Sequence, residues 1–326
     1  MTTVTGATGS GAAGLVEPGP LPVIDLADYR AGVPGALEKA AAQLREALTT
    51  LGFLSVVNHG VPWDQVEGIY AEAARFHALP DEAKRAGTFS ATKMGYSRLG
   101  GAQDPGRPPS LNAAFFMARP GSSRNQMPDE EAIPGFADVV TAYYDRMDQL
   151  GHELLPLYAV ALGMPAEWFD QWFDPALATL RMTHYPPLPA VEDQWGIDPH
   201  SDAGFMTMLP SNPVGGLMIR RPDGTWFEAD QEPRSFVVNS GDMLRRWSND
   251  TFLSTVHRVR NTSGVDRYAI PYFFDPRVDT VIDCLPSCVD AEVGARHEPI
   301  TYRDYLTAFM GRSYAGNTEI GSPGGN

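Results

Sequence analysis

Cysteine is scarce in this chain: 326 residues carry two, Cys284 and Cys288, four residues apart. No cysteine framework exists, so the fold does not depend on an oxidising compartment, and both thiols are expected to be free. No apolar run approaches the ~18 residues that a membrane-crossing helix needs. The first twenty residues lack a basic stretch followed by an apolar core, so they do not form a secretory signal. Basic residues are also in deficit, 25 Lys+Arg against 40 Asp+Glu, for a formal charge of −15. That balance argues against a nucleic-acid partner and against docking on an anionic membrane, both of which need a basic footprint. A cytoplasmic monomer acting on a small molecule is the expectation.

Hydrophobic content of 43% and charged content of 20% are ordinary for a globular protein. Residues 1–20 read as a flexible arm. Residues 21–175 are rich in helical spacing: Leu37, Ala41, Leu44 and Leu48 in one segment, Val139, Tyr143, Met147, Leu150 and Leu154 in another. The second runs from Ile133 to Leu162, and Pro156 is expected to kink or break it near its end. Trp63 to Leu79 and Glu167 to Phe173 are further helical pieces, and Leu21–Leu26 and Gly52–Val57 are short strands. From residue 176 to 300 the texture changes to short apolar strands separated by Gly, Pro, Asn and Asp, including T-L-R-M-T-H-Y, F-M-T-M-L, S-F-V-V-N, D-M-L-R-R-W and T-V-H-R-V-R. Strands at such spacing suggest a sandwich or barrel. A last helix is expected within 301–314, and 315–326 reads as a flexible tail.

Pro199-His200-Ser201-Asp202 sits where a strand should end. Residues i and i+2 of a strand share a face, so His200 and Asp202 can hold one ion from one side. His257, in T-V-H-R-V-R, is also on a strand and completes two histidines and a carboxylate, the facial set of non-haem Fe(II). A zinc hydrolase would use the same three residue types. Arg267 opens R-Y-A-I-P-Y-F-F ten residues later. A cation inside a barrel near the metal calls for a carboxylate, bound bidentately, or for a buried structural ion pair.

The ordered motifs P-V-I-D-L, G-F-L-S-V-V-N-H-G-V, M-G-Y, H-S-D-A-G-F-M-T-M-L, G-G-L-M-I, D-G-T-W, V-V-N-S-G-D-M-L, S-N-D-T-F-L-S-T-V-H-R-V and D-R-Y-A-I-P-Y-F-F run from about Pro22 to Phe309. With them the chain resembles the isopenicillin N synthase-like family of 2-oxoglutarate/Fe(II)-dependent dioxygenases. The resemblance implies an α+β fold with a mainly β core, a double-stranded β-helix (jelly-roll) barrel with a helical N-terminal half and a C-terminal lid helix. It implies Fe(II) on His200, Asp202 and His257, with Arg267 and Tyr185 holding 2-oxoglutarate and O₂ as cosubstrate. The implied reaction oxidises a C–H bond of an amino acid, peptide or secondary metabolite and releases succinate and CO₂. Two positions depart from the family pattern: Ala269 stands where Arg-x-Ser has its serine, and Thr183 where asparagine is frequent. An Fe(II) oxidase that dispenses with 2-oxoglutarate and grips a substrate carboxylate at Arg267 is the alternative reading, and a non-catalytic binder is a third.

Candidate substrate contacts are Lys93, Tyr96, Phe116, Phe205, Arg245 and Phe273, with Phe309, Tyr302 and Tyr305 on the lid. Arg245 and Arg246 are expected on opposite faces of a strand. His59 and His184 read as structural, and Asp242 as a turn or barrel hydrogen bond.

Overall fold

The computed structural model describes residues 17–90, 93–100, 110–187 and 194–313. Its helices are α1 (Ala27–Arg30), α2 (Ala36–Thr50), α3 (Trp63–Ala78), α4 (Asp81–Arg85), α5 (Phe136–Ala161), α6 (Asp170–Phe173), α7 (Asp242–Trp247) and α8 (Tyr302–Ser313). Its strands are β1 (Pro18–Pro20), β2 (Val23–Asp25), β3 (Phe53–Val57), β4 (Tyr96–Ser97), β5 (Ala113–Ala118), β6 (Leu177–Tyr185), β7 (Ile197–His200), β8 (Met206–Pro210), β9 (Leu217–Arg220), β10 (Trp226–Asp230), β11 (Phe236–Ser240), β12 (His257–Val259), β13 (Arg267–Ala269), β14 (Tyr272–Asp275), β15 (Val281–Ile282) and β16 (Ile300–Thr301).

Two sheets carry the architecture. The larger has the order β2-β3-β11-β8-β14-β6-β5-β4, with β13 also paired to β6; the smaller is β1-β10-β9-β12-β7. Alternation along the strands builds two separate cores. Phe236 and Val238 of β11, Met206 and Met208 of β8, and Leu180 and Met182 of β6 face a helical layer, where they meet Tyr143, Met147, Leu150 and Leu154 of α5. Their neighbours face the small sheet: Phe53, Val237 and Tyr185 pack against Ile219, Phe227 and Val259. Odd-numbered residues of β6, β8, β11, β13 and β14 therefore point into the space between the sheets.

Helix α2 buries Ala36, Ala40, Ala41, Leu44, Ala47 and Leu48, the face that the sequence spacing marks, against α5. Two residues beyond its end lies Gly52, whose φ of +77° favours glycine and where an added Cβ would collide with Thr255 Oγ1. Helix α5 approaches the sheet closely at Gly151, where an added Cβ would fall 2.6 Å from the Phe274 ring.

Several expectations change. Pro18–Pro20 pair in parallel with Glu228–Asp230 rather than belonging to an arm; residues 1–16 and the tail 315–326 lie outside the described residues. Pro156 lies inside α5, which continues to Ala161. Leu154, Leu155, Leu157, Tyr158 and Ala159 are all buried around it, and that packing holds the helix across the missing N–H. D-M-L-R-R-W is helix α7, not a strand. Its buried residues Met243, Leu244 and Trp247 fit i, i+1, i+4, a helical spacing that six residues hardly distinguish from a strand's. No helix among the described residues is long and apolar enough to cross a membrane.

Candidate active site

His200 ends β7, and His257 opens β12 directly opposite it in the antiparallel pair. Their rings lie 4.3 Å apart between centroids. Asp202 follows the end of β7, and its Oδ1 is 3.8 Å from Nε2 of each histidine. One donor atom from each of the three residues falls within 4.8 Å of the others.

The surrounding hydrogen bonds decide which atoms face the centre. His200 Nδ1 lies 2.7 Å from the Asp198 carbonyl, and His257 Nδ1 lies 3.1 Å from the Thr255 carbonyl. A carbonyl only accepts, so both Nδ1 atoms carry the proton and both Nε2 lone pairs point inward. Asp202 Oδ2 accepts from Thr207 Oγ1 at 2.6 Å and Asn239 Nδ2 at 2.8 Å, which leaves Oδ1 for the centre. Burial pushes the Asp202 carboxyl up, but His257 and His200, with the Asn239 and Thr207 hydrogen bonds, bring it below the usual carboxylate range. Burial, then the neighbouring His257, and more weakly the charge of Arg181, hold His200 down to about 4, so its imidazole is neutral at pH 7. An imidazole lone pair from each histidine and a carboxylate oxygen, all oriented before any ion arrives, fit a divalent cation.

Arg267 lies on β13 opposite Tyr185 of β6, with its guanidinium carbon 5.1 Å from the tyrosine ring centre. It is 1% exposed, and its Nε donates to the Val214 carbonyl at 3.2 Å. Its Nη1 has no partner, and among the described residues no carboxylate pairs with it. A buried guanidinium without a counter-charge is costly, and an anion placed against it removes that cost. Thr183 and Ala269 are paired two residues further along the same strands, on the same face. Thr183 is fully buried and its hydroxyl is without a partner.

The other candidates divide by the face they occupy. Phe116 and Phe273 lie on the inner side of β5 and β14, half-buried. Phe205 does not line this space; the bend at Ala203-Gly204 turns it to the helical side, where its ring meets Tyr158, Phe169 and Phe173 at 5.0–5.1 Å. Tyr96 likewise packs on the helical side against Phe76 and bounds a cavity of about 500 Å³ with His77, Lys84, Arg98 and His184. Lys93 is exposed and donates to the Ser123 carbonyl. Arg245 pairs with Asp250 at the surface, because α7 turns it outward. Tyr302 is buried in the helical-side core and stacks on Tyr305, and Phe309 is half-buried. His59 accepts from the Val61 amide, His184 sits 2.7 Å from Asp266, and Asp242 accepts from Ser201, as structural roles require.

One inner-face residue escaped sequence reasoning. Arg181 of β6 points into the same space, with its Nη2 donating to Asn112 Oδ1 at 2.8 Å and its guanidinium 5.3 Å from the Phe116 ring centre. Its signal was an arginine at an odd position of T-L-R-M-T-H-Y, in phase with Thr183 and Tyr185.

Residues 176–276 match the 2OG-Fe(II) oxygenase superfamily, and residues 21–134 match the non-haem dioxygenase in morphine synthesis N-terminal family. A 2-oxoglutarate-Fe(II) type oxidoreductase of Emericella nidulans, hxnY, is 31% identical over 316 residues, covering 90% of each chain. The crystal structure of a full-length Neurospora crassa protein in complex with alpha-KG superposes with a TM-score of 0.83 at 28% identity, over 90% of this chain and 96% of that one. JOX2 in complex with 2OG, Fe and JA gives 0.77 at 28% identity, over 91% and 86%. The chain therefore belongs to the isopenicillin N synthase-like 2-oxoglutarate/Fe(II)-dependent oxygenases, and is an oxidoreductase that uses Fe(II), 2-oxoglutarate and O₂.

Proposed function

We propose that this enzyme oxidises a C–H bond of a small molecule at Fe(II) held by His200, Asp202 and His257, releasing succinate and CO₂. The observation that carries the reading is the buried Arg267 guanidinium, whose Nη1 has no partner and which lies on the large sheet, facing the small sheet that carries His200 and His257. Arg267 binds the distal carboxylate of 2-oxoglutarate, and Tyr185 flanks the same cosubstrate. Thr183 supplies the hydroxyl that Ala269 lacks, from the opposite strand. The two facing sheets of mainly antiparallel strands support a double-stranded β-helix, with residues 176–300 as its catalytic core, 21–175 as the helix-rich N-terminal region and the helix within 301–314 as an end cap.

Bound Fe(II) supplies the activation of O₂, and the protein supplies position. Asn239 and Thr207 fix the Asp202 carboxylate, leaving one oxygen for the ion. The Asp198 and Thr255 carbonyls fix both imidazole tautomers. Arg267 and the tyrosine beside it hold the cosubstrate at the closed end of the inner face, and Phe116 and Phe273 border its open end.

Anaerobic titration of the Fe(II)-loaded protein with 2-oxoglutarate tests this directly. A visible charge-transfer band that saturates at sub-millimolar cosubstrate and is lost in Arg267→Ala is the expected result. Iron binding without any band would overturn the assignment of Arg267.

A further inference from the structure

Burial along β6 divides the inner face into two regions. Thr183 and Tyr185 are buried, beside the 1% exposed Arg267; Thr179 and Arg181 are half-exposed, as are Phe116, Phe273 and His200. The closed region is the cosubstrate's, on the reading above. The open region also holds a guanidinium. Arg181 makes no ion pair among the described residues, and its shielded Nε has no partner. Its polar contact is Asn112 Oδ1, and Asn112 is itself buried and donates to the Gly196 carbonyl at 2.6 Å. Gly196 leads directly into β7 and His200. The cation is thus held in place relative to the iron ligands while its charge stays uncompensated.

We propose that Arg181 is the specificity residue of the enzyme, and that the molecule oxidised is a carboxylic acid. The carboxylate binds the Arg181 guanidinium, and an apolar or aromatic body lies along Phe116, which faces Arg181 across the β5–β6 pair. Phe89, with its ring 4.5 Å from that of Phe116, extends this wall. The anchoring groups are rigid, so the acid end fixes which C–H bond lies over the iron. In a chain of net charge −15, a deliberate cation in the open half of the pocket selects an acid rather than serving general solubility.

The proposal rests on the assignment of Arg267 to 2-oxoglutarate, and the test separates the two. The Fe(II)·2-oxoglutarate enzyme is titrated anaerobically with benzoate, phenylacetate and 3-phenylpropanoate and with their primary amides, following the shift of the charge-transfer band. At least one acid is expected to shift the band, with its amide binding at least tenfold more weakly. Arg181→Gln should weaken that acid by about 10- to 100-fold, as loss of a charged hydrogen-bond partner does. Its affinity for 2-oxoglutarate should stay within twofold and its melting temperature near that of the parent. Arg181→Lys should restore part of the loss. Equal binding of acids and amides, no binding of any acid, or Arg181→Gln weakening 2-oxoglutarate as much as the probe would overturn the proposal. A parent enzyme with iron but no band would instead remove the reading of Arg267 on which it rests.

Discussion

Thr183 and Ala269 face each other across the β6–β13 pair, two residues along from Tyr185 and Arg267 and on the same face. Side chains directly opposite in an antiparallel pair have Cβ atoms about 4.5–5.5 Å apart. The two departures from the family pattern are therefore neighbours in space. A hydroxyl is missing on one strand and an unpartnered one is buried on the other. On the proposed reading of Arg267, the cosubstrate site would keep a hydroxyl by moving it across the ladder.

The consequence is measurable in cosubstrate affinity. A hydrogen bond to a charged group contributes roughly 1.5–3 kcal/mol, so Thr183→Val should raise the Kd for 2-oxoglutarate at least tenfold. Ala269→Ser should lower it or, in the Thr183→Val background, restore most of it. Anaerobic titration of the Fe(II) charge-transfer band reads both. An unchanged Kd in Thr183→Val would show that its hydroxyl does not reach the cosubstrate.

The Asp202 carboxylate has a second, separable dependence. Its Oδ2 is held by both Thr207 and Asn239, so Oδ1 faces the histidines in a fixed rotamer. Removing such a partner typically costs 10- to 100-fold in metal affinity. Asn239→Ala should therefore weaken binding of Co(II), a spectroscopic stand-in for Fe(II), by about that factor. Thr207→Val should act in the same direction, and the pair should be non-additive because both donate to one oxygen. Isothermal titration would show the idea to be wrong if both single variants bound Co(II) like the parent.

Stability should fall in mild acid through a residue remote from iron. Burial holds His77 down to about 4, against an ordinary value of 6.5, and its Nε2 donates to the Met182 carbonyl. Between these values the unfolded chain takes up a proton that the folded chain refuses. The contribution is thus complete above pH 6.5 and is lost as pH falls toward 4. At pH 5 the loss is about 2 kcal/mol for this group alone. Urea denaturation at pH 7 and 5 should show His77→Gln losing about that much less than the parent. Equal losses would place the acid sensitivity elsewhere.

The His200–Asp202–His257 cluster was legible because H-x-D at a strand end puts two donors on one face by parity and a second strand histidine can pair beside them. That Arg267 is a buried cation on a strand was legible from its place after His257. Phe205 was not, because the Ala203-Gly204 bend resets the count of alternating residues between Asp202 and β8. Arg245 was misread because α7 has only six residues, too few for a helical period to separate from a strand's. Tyr96 sits on a two-residue strand, where no alternation exists to choose a face. Arg181 was hidden in plain alternation: only the unequal burial along β6 separates it from a surface arginine.

Gly241 tests how tightly the fold holds the iron site. Its φ of −108° is open to any residue, so its requirement is space. A Cβ there would collide with the Gly204 carbonyl oxygen and lie 2.8 Å from that of Asp202. Both neighbours are backbone, and the Asp242 amide also binds the Asp202 carbonyl at 2.7 Å, so no rotamer change relieves the clash. Gly241→Ala must push the Asp202 loop away from the histidines. It should cost about 1–3 kcal/mol of stability and weaken Co(II) binding at least tenfold. Gly68, inside α3, is the matched control: the nearest atom to its added Cβ is 3.8 Å away. Gly68→Ala should stabilise the protein by up to about 1 kcal/mol and leave metal affinity unchanged. If Gly241→Ala binds Co(II) as tightly as Gly68→Ala, the contact between α7 and the Asp202 loop does not set the ligand geometry, and the rigidity of the site must come from the hydrogen bonds to Asp202 alone.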